Sequence, residues 1–119
     1  MDNKVYLLKR ASGEILCHRM RSARSLMKRL QGLMFSEELP DCDGFLIRPC
    51  NSIHTFFMNY PIDVIFLNEE MKVIKVIYNL KPWRMTKIYF RAVQVLEMKS
   101  GTLKKDIQKN ERLEALCIN

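Results

Sequence analysis

The chain has 119 residues, of which 48% are hydrophobic and 28% are charged, with only four glycines and four prolines. This composition excludes a disordered chain and predicts one globular domain over residues 1–119. Lys and Arg outnumber Asp and Glu by 20 to 13, so the net charge is +7 and polyanions are candidate partners. The cations are scattered along the chain, which favours a solvated basic surface over a dedicated nucleic-acid site.

The N-terminus and the cysteines predict the cellular location. Residues 1–5 lack the apolar stretch of a secretory signal, and no window approaches the roughly 20 apolar residues of a membrane helix. We therefore expect a cytoplasmic protein without membrane contact. In that reducing compartment free thiols are expected, since four cysteines occur at irregular spacing without a C-x-x-C pair: Cys17, Cys42, Cys50 and Cys117.

The first third of the chain predicts a β-hairpin followed by one helix. Residues 4–9 and 15–17 flank a turn around Gly13. Ser22 is a suitable N-cap, Gly32 a suitable C-terminal stop, and four residues between them follow helical spacing: Ala23, Leu26, Met27 and Leu30. The sequence therefore predicts an amphipathic helix over residues 22–32. The opposite face of this helix is cationic. Such a face usually belongs to a helix that packs on a sheet and points its charges to solvent, and less often to a helix that binds a polyanion.

From Gly44 onward the pattern is that of β-strands. Short apolar runs occupy residues 45–47, 53–58, 64–67, 72–78, 92–98 and 112–117. The polar turn at residues 68–70 makes the third and fourth runs the clearest hairpin. Residues 80–90 are expected to form a surface loop. The predicted fold class is α+β, mainly β: a small barrel-like antiparallel or mixed sheet with one helix packed against it.

Four groups of residues carry a resemblance to a known family. They are Gly32-Leu33-Met34-Phe35, Ile53-His54-Thr55-Phe56-Phe57-Met58, Ile62-Asp63-Val64-Ile65-Phe66-Leu67, and Val95-Leu96-Glu97-Met98 with Gly101. In this order and spacing the chain resembles the bacterial and archaeal "domain of unknown function 192" family, over residues 22–116.

The resemblance implies a small, β-rich, barrel-like domain, and it implies no activity, cofactor or partner. Many members carry an export signal, which this chain is expected to lack. The family often has a Gly-Asp turn before its last strand, where this chain has Lys109-Asn110-Glu111. Because asparagine also adopts left-handed turn conformations, the fold is expected to survive this change.

Residues 50–63 contain four side chains with chemical potential: Cys50, His54, Met58 and Asp63. In an extended strand His54 and Met58 share a face, and Cys50 reaches His54 only if the chain turns at residues 49–52. The plainest interpretation is structural, with His54 bonded to a backbone carbonyl, Met58 in the core and Asp63 capping a turn. We nevertheless regard these four residues as the candidate ligand pocket.

Two chemical alternatives remain open for the same residues. In a thiol-dependent enzyme Cys50 would be the nucleophile, His54 the base and Asp63 the group that orients it. In a soft-metal site Cys50, His54 and Met58 would be ligands, with Cys42 or Cys17 as a fourth. No glycines suited to an oxyanion hole flank Cys50 and no second ligand pair accompanies His54, so neither a catalytic residue, a metal nor a cofactor is assigned.

Trp83 and Arg84 form a second candidate contact site, because an aromatic ring among cations can stack on a base or dock an acidic peptide. A tryptophan in such a loop also commonly covers the end of a barrel. The sequence therefore favours a non-catalytic module that binds a small ligand or a protein through residues 50–63 and 80–90. Nucleic-acid binding through the helix cations and Trp83 is a less favoured alternative.

Overall fold

The computed structural model describes residues 4–23 and 42–118. Seven strands in this part of the chain form one sheet. The strands are β1 (Val5–Arg10), β2 (Ile15–Ala23), β3 (Gly44–Ile47), β4 (Ile62–Leu67), β5 (Val73–Leu80), β6 (Gln94–Lys99) and β7 (Leu113–Cys117). Their order across the sheet is β5-β4-β6-β3-β2-β1-β7. The mainly β, mixed-sheet fold class is confirmed.

The sheet curls into a half-barrel whose two edge strands approach each other at one point. Neighbouring strands are antiparallel except β2 and β3, which are parallel. At the start of β5, Val73 N donates to Glu111 O (2.8 Å), and Leu113 N at the start of β7 donates to Met71 O (2.9 Å). These bonds join the two edge strands, β5 and β7, near the residues at which they begin. Beyond that point the two strands diverge.

The start of the predicted helix lies in a strand. Ser22, the expected N-cap, pairs with Leu46 of β3, so β2 extends to Ala23. The rest of the predicted helix, residues 24–32, lies outside the described residues. Within residues 4–23 and 42–118 the chain has no helix, and therefore none that could span a membrane. Ser22 remains extended because the parallel edge of β3 satisfies the β2 backbone there.

The hydrophobic core has two layers, one on each face of the sheet. The inner layer lies inside the curl and contains side chains from six strands, such as Leu8, Met20, Ile65, Leu96 and Leu113. The outer layer contains Phe45, Val64, Phe66 and Val95 together with residues from the connections, including Ile53, Met58 and Tyr60. Strand β4 contributes to both layers, which explains why every residue in it except Asp63 is apolar.

Candidate functional site

Two connecting segments, residues 51–58 and 81–89, run antiparallel against each other beside the outer core layer. Their backbones are joined from Tyr89 N to Asn51 O (2.9 Å), from Thr86 N to Ile53 O (2.9 Å) and from Thr55 N to Arg84 O (2.8 Å). Only the bridge between His54 and Met85 has β-ladder geometry. The apolar run at residues 53–58 is therefore not a strand of the sheet, although its sequence pattern predicts one.

Thr55 holds the two segments together. Its side chain is fully buried, and Oγ1 donates to the carbonyl of Lys81 (2.6 Å) while accepting from Arg84 N (2.9 Å). The Thr55 carbonyl accepts from Trp83 N (2.9 Å) and from Met58 N (3.2 Å). One threonine thus fixes both the turn after it and the turn around Trp83.

Four rings cluster on the solvent side of this junction, and we call them the aromatic cluster: His54, Phe56, Phe57 and Trp83. His54 stacks on Phe56 at a centroid distance of 4.7 Å, and Phe56 on Trp83 at 5.9 Å. Phe57 meets Trp83 edge-on at 4.7 Å. Phe57 remains 59% exposed and Trp83 56% exposed, so both present apolar surface to solvent.

Phe57 and Trp83 both occupy the left-handed region of backbone space. Their φ angles are 69° and 64°. Bulky residues rarely adopt this conformation, which costs on the order of 1–3 kcal/mol and persists only where the surroundings enforce it. The left-handed turn also ends strand alternation, so that Phe56 and Phe57 both contact Trp83 although strand geometry places them on opposite faces.

The segment around Trp83 exposes further apolar side chains. Met85 is 72% exposed and Phe90 is 85% exposed, and Ile88 is half exposed. With Phe57 and Trp83 they are five of the eight large hydrophobic residues exposed in the described ranges. Exposed apolar side chains are therefore concentrated in and beside the aromatic cluster rather than spread over the molecule.

The charge around the aromatic cluster has a single sign. Residues 48–62 and 79–93 contain five Lys or Arg and neither Asp nor Glu. Arg48 pairs with Glu69 at 3.8 Å. The other four are exposed and form no ion pair with any described residue: Lys81, Arg84, Lys87 and Arg91. Lys87 Nζ lies 5.3 Å from the ring centroid of Tyr89.

Cys50 and His54 have local hydrogen-bond partners. The Cys50 thiol is half-buried against the outer core layer and donates to the carbonyl of Ser52 at 3.0 Å. His54 Nδ1 accepts from Phe56 N at 3.3 Å, which helps to orient the imidazole over the phenyl ring. The chain does turn at residues 49–52, and Cys50 N donates to Val93 O (3.0 Å).

Met58 lies deeper in the layer that Cys50 packs against, and Asp63 lies on the other side of the sheet. Met58 is buried in the outer core layer. Asp63, in β4, has the parity of Ile65 and therefore lies on the inner side of the sheet, opposite the layer that contacts Cys50. Its carboxylate caps three backbone N–H groups: Asn79 (2.8 Å), Gly101 (3.1 Å) and Leu103 (3.3 Å). The structure does not bring Asp63 to the face that contains Cys50 and His54.

The soft-metal interpretation gains no support from the His, Cys, Asp and Glu side chains of the described residues. In the described ranges no three side chains among His, Cys, Asp and Glu are placed to hold an ion. Cys17 belongs to the inner core layer, where its thiol contacts Met98 Sδ at 3.7 Å, and burial raises its pKa far above the usual range. Such a thiol stays protonated and is a poor ligand or nucleophile.

Sequence reasoning selected Trp83 and Arg84 but missed the residues that hold and extend their surface. Thr55, Phe56 and Phe57 were assigned to the sheet because their alternation is that of a strand. Two signals in the sequence point to them: the adjacent pair of phenylalanines, and the absence of any carboxylate from residues 48–62 and 79–93.

Comparison with known families identifies the chain. The family model DUF192, described as "Uncharacterized ACR", matches residues 7–115. The chain belongs to the DUF192 family. The UPF0127 protein of Pyrococcus horikoshii is 40% identical over 94 residues, which cover 75% of this chain and 78% of that protein. The resemblance drawn from the sequence motifs is confirmed.

Two solved structures have the same fold as this DUF192 chain. A protein of unknown function from Novosphingobium aromaticivorans aligns with a TM-score of 0.72 and 23% identity, covering 92% of this chain and 83% of the other. A protein from Sinorhizobium meliloti, described as a "putative transcription regulator", aligns with a TM-score of 0.74 and 22% identity, covering 94% and 92%. At these identities the likeness concerns the fold alone.

Proposed function

We propose that this DUF192 protein is a non-catalytic protein-binding module. Its contact surface, here called the docking surface, consists of the aromatic cluster and the exposed side chains of residues 81–90. The observation that carries the proposal is the state of Phe57 and Trp83, which are exposed and held in left-handed backbone by Thr55. Neither residue fills the core, so core packing does not offset the conformational strain.

The composition of the docking surface supports this function. Tryptophan, phenylalanine, methionine and arginine are enriched where proteins bind one another, and tryptophan and arginine dominate the binding energy. Trp83, Arg84 and Met85 are consecutive and exposed. A contiguous exposed apolar surface with a charged rim is typical of an interaction site.

The docking surface is also preorganised. Phe57 and Trp83 are both fixed by bonds from segments 51–58 and 81–89, and their rings support each other at 4.7 Å. A partner would therefore not have to order these side chains, which lowers the entropic penalty of association by about 0.5–1.5 kcal/mol for each of them.

Photo-crosslinking at Met85 tests the proposal. Met85→p-benzoylphenylalanine places a crosslinker in the docking surface, and Ile15→p-benzoylphenylalanine places one at an exposed hydrophobic position outside it. In extracts of the producing cells we expect a discrete protein adduct from position 85 and not from position 15. Adding Trp83→Ala should abolish the adduct. An adduct unaffected by Trp83→Ala, or equal adducts from both positions, would overturn the proposal.

A thiol-dependent enzyme is the alternative at Cys50 and His54. The binding module is preferred because Asp63, the carboxylate expected to orient His54, instead caps backbone groups on the other side of the sheet. Iodoacetamide distinguishes the two. In a binding module Cys50 should alkylate with the pH dependence of an ordinary thiol, near pKa 8.5. Rapid alkylation near neutral pH that His54→Ala abolishes would favour the enzyme.

Single-stranded nucleic acid is a second candidate partner, favoured by the four cations near Trp83. It predicts strongly salt-dependent binding of oligonucleotides that Trp83→Ala weakens. Absence of any mobility shift at low salt would exclude it.

The proposal includes three sequence-based expectations. They are a single domain over residues 1–119, a cytoplasmic location, and an amphipathic helix within residues 24–32. The Cα radius of gyration of 12.9 Å supports the first, since a compact domain of this length has about 13–14 Å. Limited proteolysis should leave a single stable core, and two separable fragments would contradict it.

A further inference from the structure

The two chain segments that contain the docking surface carry most of the net charge of the molecule. Of the overall +7, residues 48–62 and 79–93 contribute five cations. The rest of the chain holds 15 Lys and Arg against 13 Asp and Glu, which nearly balance. The positive charge is therefore local, and a partner that meets this surface gains by being anionic.

The cations near the rings are available to a partner. Lys81, Arg84, Lys87 and Arg91 are exposed and have no ion pair within the described ranges. Arg10, in contrast, binds Glu14, Asp106 and Glu111 at 2.6–2.9 Å. The four cations near the rings have no such carboxylate partner among the described residues, so an anionic partner can supply it.

The rings favour apolar side chains over nucleobases as the second component of the partner. Phe56 stacks with both His54 and Trp83, at interplanar angles of 23° and 29°, so its ring is already engaged by two others. A base needs an open ring face to stack on. Aliphatic and aromatic side chains need only apolar area, which Phe57, Trp83 and Met85 supply at exposures of 59%, 56% and 72%.

We infer that the partner presents a protein segment in which Asp or Glu residues are interspersed with large aliphatic or aromatic side chains. Its carboxylates meet Arg84 and Lys87, and its apolar side chains cover Phe57 and Trp83. This inference rests on the proposed function and specifies the chemistry of the partner. A purely acidic segment leaves the rings exposed, and a purely apolar one leaves the cations without a complement.

Trp83 is the only tryptophan in the chain, so its fluorescence reports directly on the docking surface. The probe is a dodecapeptide of equal parts glutamate and leucine, compared with a glutamate–serine dodecapeptide of the same charge and a lysine–leucine dodecapeptide. We expect the glutamate–leucine peptide to shift the Trp83 emission to the blue in a saturable way. The glutamate–serine peptide should bind at least about tenfold more weakly, and the lysine–leucine peptide should not bind. Added salt should weaken the binding.

Charge reversal supplies the matched control. Arg84→Glu combined with Lys87→Glu should weaken binding of the glutamate–leucine peptide about tenfold or more. Lys105→Glu combined with Lys109→Glu makes the same change in net charge at exposed positions outside the docking surface. That control should leave the affinity within about twofold. Equal weakening by both pairs would mean that only net charge matters, and would overturn the inference.

The remaining outcomes separate the inference from the proposed function. Equal affinity for the glutamate–leucine and glutamate–serine peptides would refute the apolar component. Tighter binding of a twelve-nucleotide oligothymidylate would identify nucleic acid as the partner and refute the inference. If no peptide binds while the Met85 adduct persists, the partner chemistry is wrong and the docking function stands. If the adduct from position 85 is also absent, both the inference and the proposed function are refuted.

Discussion

A single buried hydroxyl group links the fold to the docking surface. Thr55 Oγ1 bonds to the carbonyl of Lys81 and to the amide of Arg84, the residues on either side of the turn that presents Trp83. Valine has the same shape as threonine but cannot form either bond. The conformation of residues 81–84 therefore depends on one polar atom, Thr55 Oγ1.

Thr55→Val is expected to destabilise the protein by about 1–2 kcal/mol, because it leaves the part-buried carbonyl of Lys81 and amide of Arg84 without their hydrogen-bond partner. The measurement is urea unfolding followed by Trp83 fluorescence. Thr102→Val is the control, since the Thr102 hydroxyl donates to Lys99 O at an exposed position and its loss should change stability by less than about 0.5 kcal/mol. Equal effects of the two substitutions would show that Thr55 has no special role.

For Phe57, with its left-handed backbone, we predict the opposite result: a substitution there should change the stability little. Phe57→Asn removes the edge contact with Trp83, worth about 0.5–1.5 kcal/mol, and relieves a comparable backbone strain, because asparagine tolerates positive φ. The free energy of unfolding should therefore stay within about 1 kcal/mol of the parent value. Phe66→Ala, in the core, should cost about 3–5 kcal/mol. A loss of that size from Phe57→Asn would make Phe57 a structural residue.

At the scale of the elements, β2, β3 and β6 meet at Gly44. A Cβ atom at this position would lie 2.8 Å from Cys17 Sγ and 3.3 Å from Leu96 Cδ1. Gly44→Ala should therefore destabilise the protein by about 1–3 kcal/mol. Adding Cys17→Ala removes the nearest atom, so the double variant should be more stable than the sum of the two single effects predicts. Strict additivity in urea unfolding would contradict this packing.

The strand pairings that the sequence predicted are those between neighbours along the chain. The hairpin of β4 and β5, with Val64 opposite Ile77, follows from apolar runs flanking a polar turn. The turn at Asn110 has the expected positive φ of 71°. The extension of β2 through Ser22 was not predictable, because its partner β3 begins more than 20 residues later and helical spacing of nearby apolar residues competes with that distant pairing.

The candidate site was predictable in part, for a related reason. Choosing residues by chemical type grouped Cys50, His54, Met58 and Asp63, but the sheet separates Asp63 from the first three. Strand parity failed at Phe57 because its left-handed φ ends the alternation, and propensity gives no warning of such a conformation in a phenylalanine. Trp83 and Arg84 were recognisable because an aromatic residue among cations is visible without knowledge of the backbone.

For the molecule as a whole, one ionic network ties strand β1 to the loop that precedes β7. Arg10 Nε and Nη2 bind the Glu111 carboxylate at 2.6 and 2.9 Å, and Nη1 binds Glu14 at 2.8 Å. The hydrogen bond from Arg10 lowers the pKa of Glu111. Lys104 first and Arg10 second lower the pKa of Glu14. Both carboxylates are therefore ionised more readily in the folded state than in the unfolded state.

These pKa shifts determine the direction in which the stability of the protein changes with pH. A carboxylate whose pKa is lowered by folding stabilises the protein above its unfolded pKa, near 4.3, and loses that contribution as the pH falls through its folded pKa. Arg10→Met should lower the urea midpoint at pH 7, and the gap to the parent should shrink as the pH falls below the unfolded pKa of these carboxylates. Lys9→Met, which removes an exposed pair with Glu114, should change little. A gap independent of pH would contradict the network.

The crosslinking yield from position 85 in the presence of Phe57→Asn tests most directly whether the strained, exposed rings exist to bind a partner. The substitution leaves the core and the cations untouched and alters only one ring of the docking surface. The account predicts a yield about tenfold or more below that of the parent chain, at unchanged folding stability. An undiminished yield would contradict it.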